Sequence, residues 1–189
     1  MRAELRRNIA EERGSRTGGI SHYELLRAGV RRELHLNLDD FEPWPATNHF
    51  IDGLLATLAA KSPAFASGMI YALEDSAIPE LTIVALIVNA CAAQAGSIYH
   101  IVHLDKLEEK LATYDRTAAG LSLHDFFAMH LVDFEVGHRT RLADALAQSL
   151  DRPDELSDLE AGYGFVLSEM DLWWESLANA AVSPTVNVK

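Results

Sequence analysis

Apolar residues recur at three- and four-residue intervals along almost the whole chain, and no stretch alternates apolar with polar for long enough to make a convincing strand. A helix with that spacing presents one continuous apolar stripe, so the pattern restricts the chain to an all-α fold. It predicts seven helices, over about 2–13, 21–35, 46–60, 64–94, 100–113, 122–149 and 154–179. The residues between them agree. Gly14-Ser15-Arg16-Thr17-Gly18-Gly19 is a flexible connection, and Ser21 is an N-cap for the helix that follows. Asp39, Asp40, Pro43 and Pro45 interrupt helical continuity after Asn37. Ser62 caps a helix that Pro63 opens, Ser122 and Asp125 stand at capping-box spacing, and Pro153 opens the last helix. Pro79, inside the fourth segment, predicts a kink beside Glu74.

The 189 residues and a hydrophobic content of 49% support one helical domain, placed at 1–182, with a flexible tail at 183–189. A formal net charge of -12 argues against a nucleic-acid partner, because such a surface repels a polyanion. The arginines near the start, Arg2, Arg6, Arg7, Arg13 and Arg16, are interleaved with Glu4, Glu11 and Glu12 and read as an ion-paired helix face. The amino terminus lacks the apolar core of a signal peptide, and no apolar run reaches the roughly 18–20 residues of a membrane span. The nearest, Leu81 to Ala95, carries Asn89 and Gln94 and reads as a central helix buried on nearly all sides. Cys91, the single cysteine, lies in that run and reads as a small buried hydrophobe, which rules out an intramolecular disulfide framework and fits a reducing cytoplasm. The expected location is cytoplasmic, without a membrane or nucleic-acid partner.

The stretch from His130 to His138 places His130, Asp133, Glu135 and His138 in nine residues of apolar, helix-like sequence. Buried without partners, each would forfeit a few kcal/mol, whereas a divalent transition metal would take them as ligands. Glu135 and His138, three apart, project about 60° from one another on a regular helix and can share an ion. His130, eight residues before His138, is about 80° away on a regular helix. A one-residue π-bulge would align His130 with Glu135 and His138; without it Asp133 is the better neighbour for His130. Two further candidates are Glu12, paired with His22 across the glycine-rich connection, and Glu74, an acid on an otherwise apolar helix. Glu11 and Glu12 are about 100° apart, so one points in and one out, and Glu11 is assigned to the solvated face.

Together these residues resemble the heme-oxygenase-like diiron oxidases. That seven-helix superfamily is related to the thiaminase-like and pyrroloquinoline-quinone-synthesis proteins and to the chlamydial death-domain-associated protein. Its N-x-x-E-E-x-G stretch, followed by a loop and an H-x-x-L helix, is matched by Asn8, Glu11, Glu12, Gly14, His22 and Leu25. A midchain bridging glutamate is matched by Glu74, and the late H-x3-D-x2-H motif reads here His130-x4-Glu135-x2-His138, with one extra residue and Glu in place of Asp. The resemblance spans about residues 5 to 145 and implies a heme-oxygenase-like bundle in which the first family helix is absent. A partner subunit in a homodimer could supply that helix.

The resemblance implies a non-heme diiron oxidoreductase that takes two Fe(II) ions and uses dioxygen as co-substrate. Its substrate would be a small molecule of amino-acid or fatty-acid type, and its reaction desaturation, oxidative carbon–carbon cleavage or N-oxygenation. Glu74 would bridge the irons as the catalytic carboxylate, with Glu12 and His22 mainly on one ion and Glu135, His138 and His130 on the other. The alternative is a non-catalytic helical interaction protein that keeps the fold with a degraded site. The thiaminase-like branch, with its nucleophilic cysteine, is disfavoured by the apparent burial of Cys91. His100, His103 and Asp105 form no needed second cluster and are assigned to hydrogen bonding between helices. Trp173, Trp174, Phe165 and Met170 read as packing, and Phe126, Phe127 and Phe134 as either core or substrate pocket.

Overall fold

The computed structural model describes residues 1–114, 120–149 and 152–182. Among them the chain is all-α, without a strand. The α-helices are α1 (Arg2–Glu12), α2 (His22–Glu33), α3 (Pro45–Ala60), α4 (Pro63–Gln94), α5 (Leu107–Leu111), α6 (Leu123–Ala128), α7 (Glu135–Ala147) and α8 (Pro153–Val182), with 3-10 turns at Leu38–Asp40 and Leu104–Lys106. A π-helical segment, Met129–Phe134, joins α6 to α7 in one continuous run, so the described residues form seven helical rods.

Local signals account for most boundaries. Ser21 accepts the Glu24 amide hydrogen while Glu24 accepts that of Ser21, and Ser122 and Asp125 make the same reciprocal box at α6. Ser62 Oγ accepts the Phe65 N–H at the start of α4, and α4 remains helical through Pro79. The helix expected at 100–113 is the largest departure: only its second half is helical. Both backbone groups of Val102 are held by the Asn89 amide, at 2.6 Å to the carbonyl and 2.9 Å from the N–H, which removes them from a helical ladder.

The sequence predicts one domain over 1–182; the described residues divide into two compact units, and the predicted tail at 183–189 lies outside them. The first unit comprises 1–41 and 74–147. Its core gathers Leu25, Val30, Ala85, Val88, Leu107, Leu123, Phe127, Met129 and Phe134. Here α4 differs from expectation, because it is buried on one face only. Ala85, Val88 and Ala92 face the core, while Ile83, Leu86 and Ile87 are exposed. Only 17% of its most apolar window is buried, and by length and composition α4 is the one described helix able to cross a membrane. Cys91 is likewise exposed, lining a cavity of about 590 Å³ with Glu33 and His35, so burial does not remove it from chemistry.

The second unit comprises 42–73 and 148–189. Its core is Leu54, Met69, Ala72, Val166 and Met170, flanked by Phe50, Phe65 and Phe165. Trp173 stacks on Phe50 at 5.5 Å and donates its indole N–H to Thr47 at 3.0 Å, the packing role expected of it. Within this unit α4 and α8 meet backbone to backbone. A Cβ on Gly68 would lie 2.0 Å from the Leu159 carbonyl oxygen, and one on Gly162 2.0 Å from that of Phe65.

Candidate metal centre

All six predicted site residues lie in the first unit, and α1, α2, α4 and the α6 to α7 run bring them together. Gly14 makes the first approach feasible. Its φ of +96° and an ideal Cβ position only 2.4 Å from the Ile20 carbonyl oxygen exclude any side chain there. The Gly14 N–H donates to Glu11, and the buried Thr17 hydroxyl donates to the Ile20 carbonyl at 2.6 Å, welding the turn that returns the chain from Glu12 to His22. The capping box at Ser21 then sets His22 as the first residue of α2.

The extra residue of the late motif is absorbed by the π-helical segment. The Glu135 N–H donates to the His130 carbonyl five residues back, so the widened turn lies between two candidate ligands. His130 is thereby turned inward and buried, while Asp133, the alternative neighbour, pairs with Arg16.

Two groups of donors result, each with its ligand atoms within 4.8 Å of one another: Glu12, His22 and His130 in one, and Glu12, Glu135 and His138 in the other. In the first, His22 Nδ1 is 2.9 Å from His130 Nε2 and 3.1 Å from Glu12 Oε1. His130 Nδ1 donates to the Phe126 carbonyl at 2.7 Å, which leaves its Nε2 with a lone pair aimed at the other two. A single proton on His22 cannot satisfy both neighbours, whereas a cation would satisfy all three, and His22 Nε2 is a buried nitrogen without a hydrogen-bond partner. The donor chemistry therefore fits a metal. In the second group, His138 Nδ1 lies 3.8 Å from Glu135 and 3.3 Å from Glu74. Glu74 also accepts from the buried Asn8 amide at 2.9 Å. The carboxylate common to both groups is Glu12 rather than Glu74.

Glu11 is a correction. The residue assigned to solvent is 6% exposed, and its carboxylate meets His138 Nε2 at 3.0 Å and Arg141 at 3.3 Å. The available signal was Asn8, three residues earlier and on the same face of α1. Glu12 reaches the cluster from the end of α1 with 49% of its side chain exposed. Phe134, left open between core and pocket, lies against His22 at 4.7 Å and His138 at 6.3 Å, with the Arg16 guanidinium 4.4 Å above its ring. His103 and His124 are linked through the His103 N–H and His124 Nδ1 at 3.1 Å, and they join neither donor group.

Electrostatics separates the two buried histidines. Burial, reinforced by His22, pushes His130 down to about 4. Burial acts the same way on His138, but hydrogen bonds to Glu135, Glu74 and Glu11 outweigh it and raise the group to about 10. For Glu12, burial is opposed and overcome by the hydrogen bond and charge of His22, with His130 and His138 assisting, and its carboxyl lies below the ordinary value.

These shifts act in opposite directions on the stability of metal-free protein. The unfolded chain protonates His130 near 6.5 and the folded chain near 4, so its contribution is complete above pH 6.5 and is lost as pH falls to 4. The loss is on the order of 3 kcal/mol. His138 contributes fully below 6.5 and loses its contribution as pH rises through 10. Denaturant midpoints of chelator-treated protein should accordingly fall less between pH 6.5 and 4 in His130→Gln than in the wild type. Equal slopes would show that another group carries the acid loss.

Comparison with known proteins places the chain. Its sequence matches the profile of a domain of unknown function with a solved structure, DUF3865, over residues 1–95 and 86–180. The chain belongs to the DUF3865 family. Its fold is similar to two crystal structures of a CADD-like protein of unknown function from Nostoc punctiforme. One, at 2.00 Å resolution, shares 29% identity with a TM-score of 0.74, over 96% of this chain and 67% of the other. The second, at 1.35 Å, shares 28% identity with a TM-score of 0.69, over 99% and 67%. No functionally curated protein matches this DUF3865 member.

Proposed function

We propose that this DUF3865 protein is a heme-oxygenase-like, non-heme diiron oxidase or oxygenase acting on a small substrate of amino-acid or fatty-acid type. The observation that carries the reading is the pair of donor groups sharing Glu12, built from residues up to 126 positions apart that the motif resemblance selects in order. The CADD-like description of the structural relatives agrees with that resemblance. Glu12, His22 and His130 would hold one ion, and Glu12, Glu135, His138 and Glu74 the other, a mixture of hard carboxylate oxygens and imidazoles suited to iron. Bound iron would supply the electrons that activate dioxygen. The chain supplies the rest: Phe126 and Phe134 wall the histidines with apolar surface, and Asn8 orients Glu74.

The test is iron content and dioxygen consumption after anaerobic loading with Fe(II). About two irons per chain and substrate-independent or substrate-stimulated oxygen uptake are expected; well-folded protein that takes up less than one iron overturns the reading. The exposed Ile83, Leu86 and Ile87 of α4 favour a second reading, a helical interaction protein. On that reading Glu74→Ala would alter stability alone, whereas a metal centre would also lose metal.

A further inference from the structure

Glu11 is buried, charged and adjacent to the centre, yet it belongs to neither donor group. Its Oε2 atom is approached from three sides: by His138 Nε2 at 3.0 Å, Arg141 Nη2 at 3.3 Å and Arg16 Nη1 at 3.9 Å. An oxygen so engaged is a poor ligand and a strong acceptor. The opposite nitrogen of the same ring, Nδ1, faces Glu74 and Glu135. Two edges of one imidazole are thus divided, one toward candidate ligands and the other toward an acceptor held in place by two guanidinium groups. His130 has the same division with its nitrogens exchanged, its Nδ1 donating to the Phe126 carbonyl and its Nε2 facing His22 and Glu12.

We infer that Glu11 is the positioning residue of the second metal site: by accepting the Nε2 proton of His138 it fixes the ring so that Nδ1 is presented to the metal held with Glu135 and Glu12. The inference rests on the diiron reading. Outer carboxylate partners of metal-bound histidines commonly contribute 10- to 100-fold in metal affinity by holding ring and tautomer. Arg16 and Arg141 hold Glu11 itself away from the metal, which explains why the first glutamate of the Glu11-Glu12 pair orients while the second ligates.

The full-length protein is titrated anaerobically with Co(II), whose visible absorption reports coordination. Wild type should take up two ions. Glu11→Ala should keep one with near wild-type affinity and bind the other roughly 10- to 100-fold more weakly, with an altered spectrum for that ion alone. Glu11→Gln, which keeps an acceptor oxygen in place, should restore binding to within about threefold, while Glu11→Asp, charged but shorter, should not. Where the alanine variant does not fold, the contrast between glutamine and aspartate decides the question. Wild-type binding in both the alanine and aspartate variants overturns the inference, as does loss of a whole site in the glutamine variant, which would make Glu11 a ligand. Wild-type protein that binds no Co(II) overturns the diiron reading and the inference with it, an outcome distinct from the others.

Discussion

Glu12→Ala is expected to abolish tight binding of both metal ions while leaving the fold intact. Its carboxylate is the donor common to the two groups, so removing it takes one ligand from each, and the loss should exceed the roughly 100-fold that an outer partner costs. Stability should change by less than about 1 kcal/mol, because half of the side chain is exposed and the partner lost is His22 alone. Glu135→Ala, by contrast, should remove one ion and retain the other. Metal stoichiometry together with a denaturation curve separates these cases. An alanine variant at position 12 that still holds two ions would show that Glu74 bridges instead.

The second large effect is structural. Gly68→Ala and Gly162→Ala should each destabilise the protein by about 3 kcal/mol or more, or prevent folding. The inserted methyl would lie 2.0 Å from a carbonyl oxygen of the facing helix in either case. Backbone cannot rotate away as a side chain can, so α4 and α8 would have to separate, withdrawing Met69, Val166 and Met170 from contact. Urea midpoints measure this directly. A midpoint unchanged from wild type in either variant would mean the helices do not approach so closely.

Much of the architecture was legible because its causes are local. The three- and four-residue spacing of apolar side chains, the boxes at Ser21 with Glu24 and Ser122 with Asp125, and the prolines at 63 and 153 act within one turn of helix. The candidate site was legible only as a set of residue types in order. His130 hung on whether one extra residue widened the helix, and the π-helical segment answers that question. Where the sequence reading failed, the missing quantity was burial. Glu11 was placed in solvent, and Cys91 and the outer face of α4 were placed in a core, since neighbouring residues look alike on either face of a helix whose partners are unknown.

By itself, then, the sequence determined that the chain is helical, where most helices start and stop, and which acids and imidazoles are available to a metal. Only the tertiary structure decided which of them meet. Asn8 reaches Glu74 across 66 residues and Glu11 reaches His138 across 127. Contacts of that separation depend on how helices pack, and packing responds to the whole surface of each helix rather than to the few residues that carry the chemistry.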